Sequence, residues 1–145
     1  VMEMLLGTNA TIIAFEPHPM NVFNLKKTIM GLDKSYQERI RLFPIGLGDV
    51  EATNTIYSAN NNMGNSVVGK IIKDMESQVF DKDLQFQIHI EKMNSILNSG
   101  IDVKLLKMDA QGFECRILEG WGDDLARSID IVKTEYAIHW LTNQN

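Results

Sequence analysis

A single cysteine, Cys115, occurs in the 145 residues. An internal disulfide and a cysteine-based metal site are therefore excluded, and a buried apolar thiol is the default role for it. The three histidines, His18, His89 and His139, show no ligand spacing such as i, i+4 on one helix, and no metal is expected from them. Positive charge is also short. Fourteen Lys and Arg stand against 19 Asp and Glu, for a formal charge of −5, and the basic residues are scattered. Binding to a nucleic-acid backbone needs a basic stripe, so no nucleic-acid partner is expected. No apolar run approaches the ~20 residues of a membrane span. Internal repeats are absent, and so is a signal-peptide pattern. The chain opens on Val1 and stops at Asn145; both ends read as cuts within a larger protein, for which a cytoplasmic location is expected.

What is present fits one globular domain, with 44% hydrophobic and 23% charged residues, enough for a single core. Four apolar, strand-like runs end at an acid: Thr11–Phe15 at Glu16, Leu42–Ile45 and a Gly-Leu-Gly turn at Asp49, Val103–Met108 at Asp109, and Ile129–Thr134 at Glu135. In a parallel α/β sheet the strand C-termini share one edge, and ligands bind in the crevice there. A row of carboxylates on that edge suits a nucleoside cofactor with ribose hydroxyls, an exocyclic amine and a positive charge.

The spacing predicts helix tail over Val1–Leu6, a strand at Thr11–Phe15, and a helix from an Asn21 N-cap to Met30, ended by Gly31. A second strand follows at Arg39–Ile45, with a turn at Gly46–Gly48. Residues 51–90 read as an antiparallel insertion, with alternating strands at Thr53–Ser58 and Leu84–Ile90. A polar loop at Asn60–Ser66 and a helical or irregular Val67–Phe80 lie between them. Helices are expected at Met93–Ser99 and Phe113–Leu118, core strands at Val103–Met108 and Ile129–Thr134, and a helix or loop at Ala137–Thr142. The fold class is α/β.

Individual residues admit two readings each. Glu16 is either a ribose ligand at the end of a second strand or a solvated strand-end acid. Its partner glycine-rich turn, ~20 residues earlier, would precede Val1. Asp49 follows a turn whose glycines would let a flat ring approach the backbone, or it hydrogen-bonds its own turn. Asp109 lies in the densest motif, Lys107-Met-Asp-Ala-Gln-Gly-Phe-Glu114; Gly112 permits a sharp reversal, and Glu114 complements a helix N-terminus. Lys107 and Lys133 each share a face with the acid two residues on and are expected to pair with it, or to reach solvent. His18 and His139 are candidate general bases at the rim, or merely structural. Trp121 and Trp140 read as packing residues.

These blocks resemble a family. Phe15-Glu-Pro-His-Pro19 with Asn21, Gly46-Leu-Gly-Asp49, Gly64-Asn-Ser66, Leu105–Glu114 and Lys133-Thr-Glu-Tyr136 occur in the order and spacing of FkbM-type methyltransferases, across Ile12 to Trp140. The resemblance implies a Rossmann-like class I sheet with helices on both faces, and S-adenosylmethionine as cofactor. It places Glu16 (followed by Pro17) on the cofactor ribose, Gly48 and Asp49 near the adenine, and Asp109 at the methionine moiety or the acceptor. Gln111 stands where the family pattern has Glu. The acceptor would be a hydroxyl on a small molecule, glycan or lipid, with Asp109, His18 or His139 taking its proton. A Mg²⁺ shared by Asp109 and Glu135 is a variant.

The resemblance also implies that the family's first strand, with its glycine-rich loop, and the closing C-terminal strands are missing from residues 1–145. The first strand belongs between those ending at Glu16 and Asp109, so two strand edges would be left open, and the chain alone is expected neither to fold stably nor to methylate. The rival readings are an NAD-dependent oxidoreductase, which also uses an acid after its second strand, and a degenerate domain kept as an interaction module.

Overall fold

The computed structural model describes residues 7–59, 62–69, 80–98 and 100–134. The expectations over Val1–Leu6 and Ala137–Thr142 fall outside these residues.

Strand β1 (Ile12–Phe15) leads into helix α1 (Pro19–Met30), a short helix α2 (Lys34–Gln37) and strand β2 (Ile40–Phe43), which pairs with β1 in parallel. The register sets Phe15 against Phe43, and the two rings stack with centroids 5.2 Å apart. The helix starts earlier than the Asn21 cap expected. Pro19 takes its first position, where the missing N–H costs nothing, and His18 is the N-cap, its ring accepting from the Met20 N–H. The prolines that interrupt the strand thus also begin the helix. Val22 is buried and Ile29 half-buried, seven residues apart on one face. Met20, Phe23 and Met30 remain exposed.

The second strand is shorter than its apolar run. Pro44 has no N–H to give a ladder, and beyond it the chain changes sheet. Gly46–Leu47, expected as a turn, is strand β3, paired in parallel with β6 (Phe80–Glu91). Strand β6 also pairs antiparallel with β4 (Ala52–Ala59), and β4 with β5 (Asn62–Val68), giving the order β3-β6-β4-β5. The antiparallel insertion expected over 51–90 is present. Its polar stretch is largely strand rather than loop, because Asn62–Val68 find partners along β4. Of the expected helical or irregular Val67–Phe80, residues 67 and 68 are strand and 80 opens β6, while 70–79 lie outside the description. Ile56, Ile88 and Ile90 are 3–5% exposed and form a core with Phe86 and Phe113 against it. Burying each such side chain contributes roughly 1.5–3 kcal/mol.

Helix α3 (Met93–Ile96), strand β7 (Leu106–Met108), helices α4 (Glu114–Glu119) and α5 (Asp123–Ala126), and strand β8 (Val132–Thr134) complete the described chain. β7 and β8 pair in parallel, preceded by an isolated bridge from Val103 to Ile129. Both regular strands are half the expected length, because the ladder is interrupted between that bridge and Leu106. Trp121 is 3% exposed and packs with Leu47, Met93, Met108, Ile117 and Leu125, as a core residue should.

The architecture is mixed α/β. Among the described residues there are three separate sheets: the parallel pairs β1–β2 and β7–β8, and the four-stranded sheet, in which β3–β6 is parallel and the rest antiparallel. No described strand joins β1 to β7. No described helix is long and apolar enough to cross a membrane.

Candidate functional site

The residues just before three of the acids meet in one cluster. Leu47 and Met108 are buried in it, and Phe15, Ala110 and Phe113 pack against it. The ends of β1, β3 and β7 therefore converge, and Glu16, Gly48–Asp49 and Asp109 emerge around a shared apolar base. Local chain reversals set each of them.

At the first tip, Glu16 is half-buried, and its Oε1 accepts from the His18 N–H at 2.8 Å. This local bond turns the chain through Pro17 into α1. The other carboxylate oxygen has no partner among the described residues. His18 itself is 1% exposed. Its Nδ1 accepts from Met20 N at 3.2 Å, so the proton belongs on Nε2, which lies 2.7 Å from Ser58 Oγ and donates to it. The edge of Phe86 closes the ring's side, 5.2 Å between centroids. Burial lowers the His18 pKa, with the Glu16 carboxylate and a backbone hydrogen bond opposing it. The ring is thus a neutral strut between α1 and β4, received where the β4 register shifts at Ser58. The Ser–His contact is no nucleophile–base pair: Ser58 is 1% exposed and no carboxylate orients Nδ1.

The second tip is held by backbone proximity. Gly48 donates its N–H to Glu91 O at 2.9 Å, and a side chain there would meet Ile90 at 2.8 Å and Phe113 at 3.3 Å. Gly120, at the end of α4, lies so close that a Cβ would overlap the Gly48 carbonyl oxygen. Asp49 is reached by Arg116 of α4 at 3.6 Å, and the same guanidinium lies over the Phe113 ring. Two glycines and an aromatic ring thus join the four-stranded sheet to α4. Arg116 was not singled out from sequence; it lies within four residues of Gly112, but nothing in the pattern marked which loop it would meet.

At the third tip, Asp109 leads into a reversal with Gln111 at φ +51° and Gly112 at +94°, closed by Phe113 N donating to Ala110 O at 3.2 Å. Two successive positive φ values match a type I′ turn. Glycine is at ease at such a φ; glutamine is not, and an L-residue there is strained by about 1 kcal/mol or more. Its side chain offsets part of that cost, donating from Nε2 to Asp109 Oδ1 at 2.9 Å. A Glu at this position could not make that bond unless protonated, so the amide is what holds Asp109 here. Lys107 Nζ lies 3.8 Å from Asp109 Oδ2, the expected same-face pair. Glu114 Oε1 accepts from Ala110 N at 2.8 Å and holds the turn from the helix side. A cleft of about 250 Å³ opens here, lined by Lys107, Met108, Asp109, Lys133 and Thr134.

His139 and Glu135 lie outside the described residues, and with them the Lys133–Glu135 pair and the shared Mg²⁺ site. Among the described residues no group of three His, Cys, Asp or Glu side chains is placed to hold a metal. His89 is an exposed strand residue beside Glu91 at 3.2 Å.

The strand ends of this mixed α/β protein thus present separate carboxylates around one apolar base. The chain matches the family model of the methyltransferase FkbM domain over residues 2–142. It belongs to that family. No curated protein and no solved structure matches it.

Proposed function

We propose that the chain carries an S-adenosylmethionine-dependent methyltransferase site acting on a hydroxyl acceptor. The observation that carries the reading is the convergence of the three strand ends on one cluster, with each acid held differently. Glu16 keeps one carboxylate oxygen for the ribose hydroxyls while the His18 N–H fixes the other. On that side Pro17 packs close to Gly46, where a Cβ would lie 3.6 Å from it, and Gly48 packs against Ile90 and Phe113. Asp49, steadied by Arg116, is the acceptor for an exocyclic amine. The bound cofactor supplies an electrophilic methyl group on a positively charged sulfur.

What this chain's residues add is alignment and a proton acceptor. An in-line displacement gains most of its rate from orientation, and Asp109 takes the acceptor's proton on Oδ2, with Oδ1 held by Gln111. His18 is assigned a structural part, since both of its ring nitrogens are engaged within the fold. The open edges of β1 and β7 fit a further strand between them, which would join the two parallel pairs into one sheet.

Family membership favours this reading over hydride transfer with NAD. Calorimetry on the full-length protein with S-adenosylmethionine against NAD tests the cofactor, and binding of neither would favour the interaction-module reading. Asp109→Asn in that protein is expected to lower turnover at least ~10²-fold while leaving cofactor affinity within a few-fold. Unchanged turnover would remove Asp109 as the base.

A further inference from the structure

The β7–β8 register brings two lysines together for which the methyl-transfer reading has no use. Lys107 is paired with Lys133 on neighbouring parallel strands, so their side chains leave the same face. Their Cα atoms are about 4.8 Å apart, the spacing of adjacent strands. Like charges so placed repel and weaken a sheet. The described surroundings relieve only part of this: Asp109 approaches Lys107 at 3.8 Å and is shared with Gln111, while Lys133 has no partner among the described residues. Both lysines line the cleft beside Asp109, so its described lining carries two positive charges and one negative. Thr134 lines it as well, and its Oγ1 is a buried hydroxyl without a described partner. An anion would answer the excess charge, and two ammonium groups can share its oxygens.

We propose that Lys107 and Lys133 form an anion-binding subsite, taking a carboxylate or phosphate group carried by a reactant while Asp109 faces the hydroxyl to be methylated. The subsite rests on the methyltransferase reading for the identity of its reactants, but not for its chemistry. The anion has two possible sources: an acidic methyl acceptor or the cofactor's own carboxylate.

The test is lysine labelling of the full-length protein by reductive methylation, read by mass spectrometry, with inorganic phosphate as probe and chloride at equal ionic strength as control. Saturating phosphate is expected to slow labelling of Lys107 and Lys133 by about twofold or more, as occupancy above one half requires, while the exposed Lys26 and Lys34 are unaffected. Lys133→Met should abolish the protection of Lys107, and Lys133→Arg should retain it, which separates loss of charge from loss of fold. Protection by S-adenosylmethionine but not by its decarboxylated analogue assigns the anion to the cofactor. Protection by phosphate added on top of bound cofactor assigns it to the acceptor. Unchanged labelling of both lysines with phosphate and with bound cofactor overturns the subsite. Phosphate protection in a protein that binds no cofactor leaves the subsite standing and overturns the methyltransferase reading instead.

Discussion

The four-stranded sheet and the two parallel pairs solve the same problem to different degrees. In the first, β6 pairs with β4 at seven register positions and with β3 at Ile90 and Glu91, and Ile56, Ile88 and Ile90 are almost wholly buried. In the second, β7 and β8 share three register positions, and Ile131 and Val132 are 59% and 49% exposed. Antiparallel strands can be completed by neighbours close in sequence and tolerate a solvated face. Parallel strands need crossovers and cover on both faces. Of the three acid-bearing strand ends, those of β1 and β7 lie in the less complete half and that of β3 in the more complete one, and Gly48, Phe113 and Gly120 join the four-stranded sheet to α4.

The largest break in that comparison is expected at the joint. Gly120→Val places a side chain on the Gly48 carbonyl, which is backbone and cannot swing away. A loss of about 3 kcal/mol or more is expected from the urea midpoint, or no folded protein at all. A midpoint near that of the parent chain would mean the two halves are not packed through this contact.

The next effect sharpens the contrast itself. Amides of β4 and β6 should exchange with solvent at least about tenfold more slowly than those of β7 and β8 in the folded protein, a difference of about 1.4 kcal/mol in opening free energy. Equal protection would show that the parallel pairs are covered as well as the antiparallel sheet.

A smaller effect concerns pH. The pKa of His18 is lowered in the folded state, chiefly by burial, so the native protein binds fewer protons than the unfolded chain. Stability from the neutral ring is fully present above the ordinary value near 6.5 and declines as pH falls from there through the lower folded value. Melting temperature should drop over that acid window, and His18→Gln should flatten the drop. A profile that is identical in the variant would assign the acid sensitivity to other groups.

The smallest expected effect is at Arg116→Met. The pair with Asp49 is 51% and 30% exposed, so its loss should cost no more than about 1 kcal/mol in stability. If Asp49 needs the guanidinium for its placement, cofactor affinity should fall by more than the urea midpoint suggests.

The local geometry of the third strand tip was legible because its determinants are local. An apolar run that stops at an acid, a glycine where the chain must turn back, and an acid opening a helix are decided within a few residues. Asp109, Gly112 and Glu114 were readable in that way. His18 was not: nothing local shows that its ring reaches across to Ser58, 40 positions away, and a histidine beside a predicted cleft invites a catalytic reading. The β2–β3 break was half legible, since Pro44 marks where pairing must stop but not which strand the chain pairs with next.

The sequence by itself determined the family, much of the alternation of strands and helices, and that Glu16 and Asp109 follow strand ends, because side-chain pattern and turn chemistry act over short range. Tertiary structure alone decided that Gly48 would lie under Gly120, that His18 would be a buried strut, and that Lys107 and Lys133 would stand side by side. Those depend on register and on which segments meet. Contacts between residues far apart in the chain are set by packing, and no local pattern encodes them.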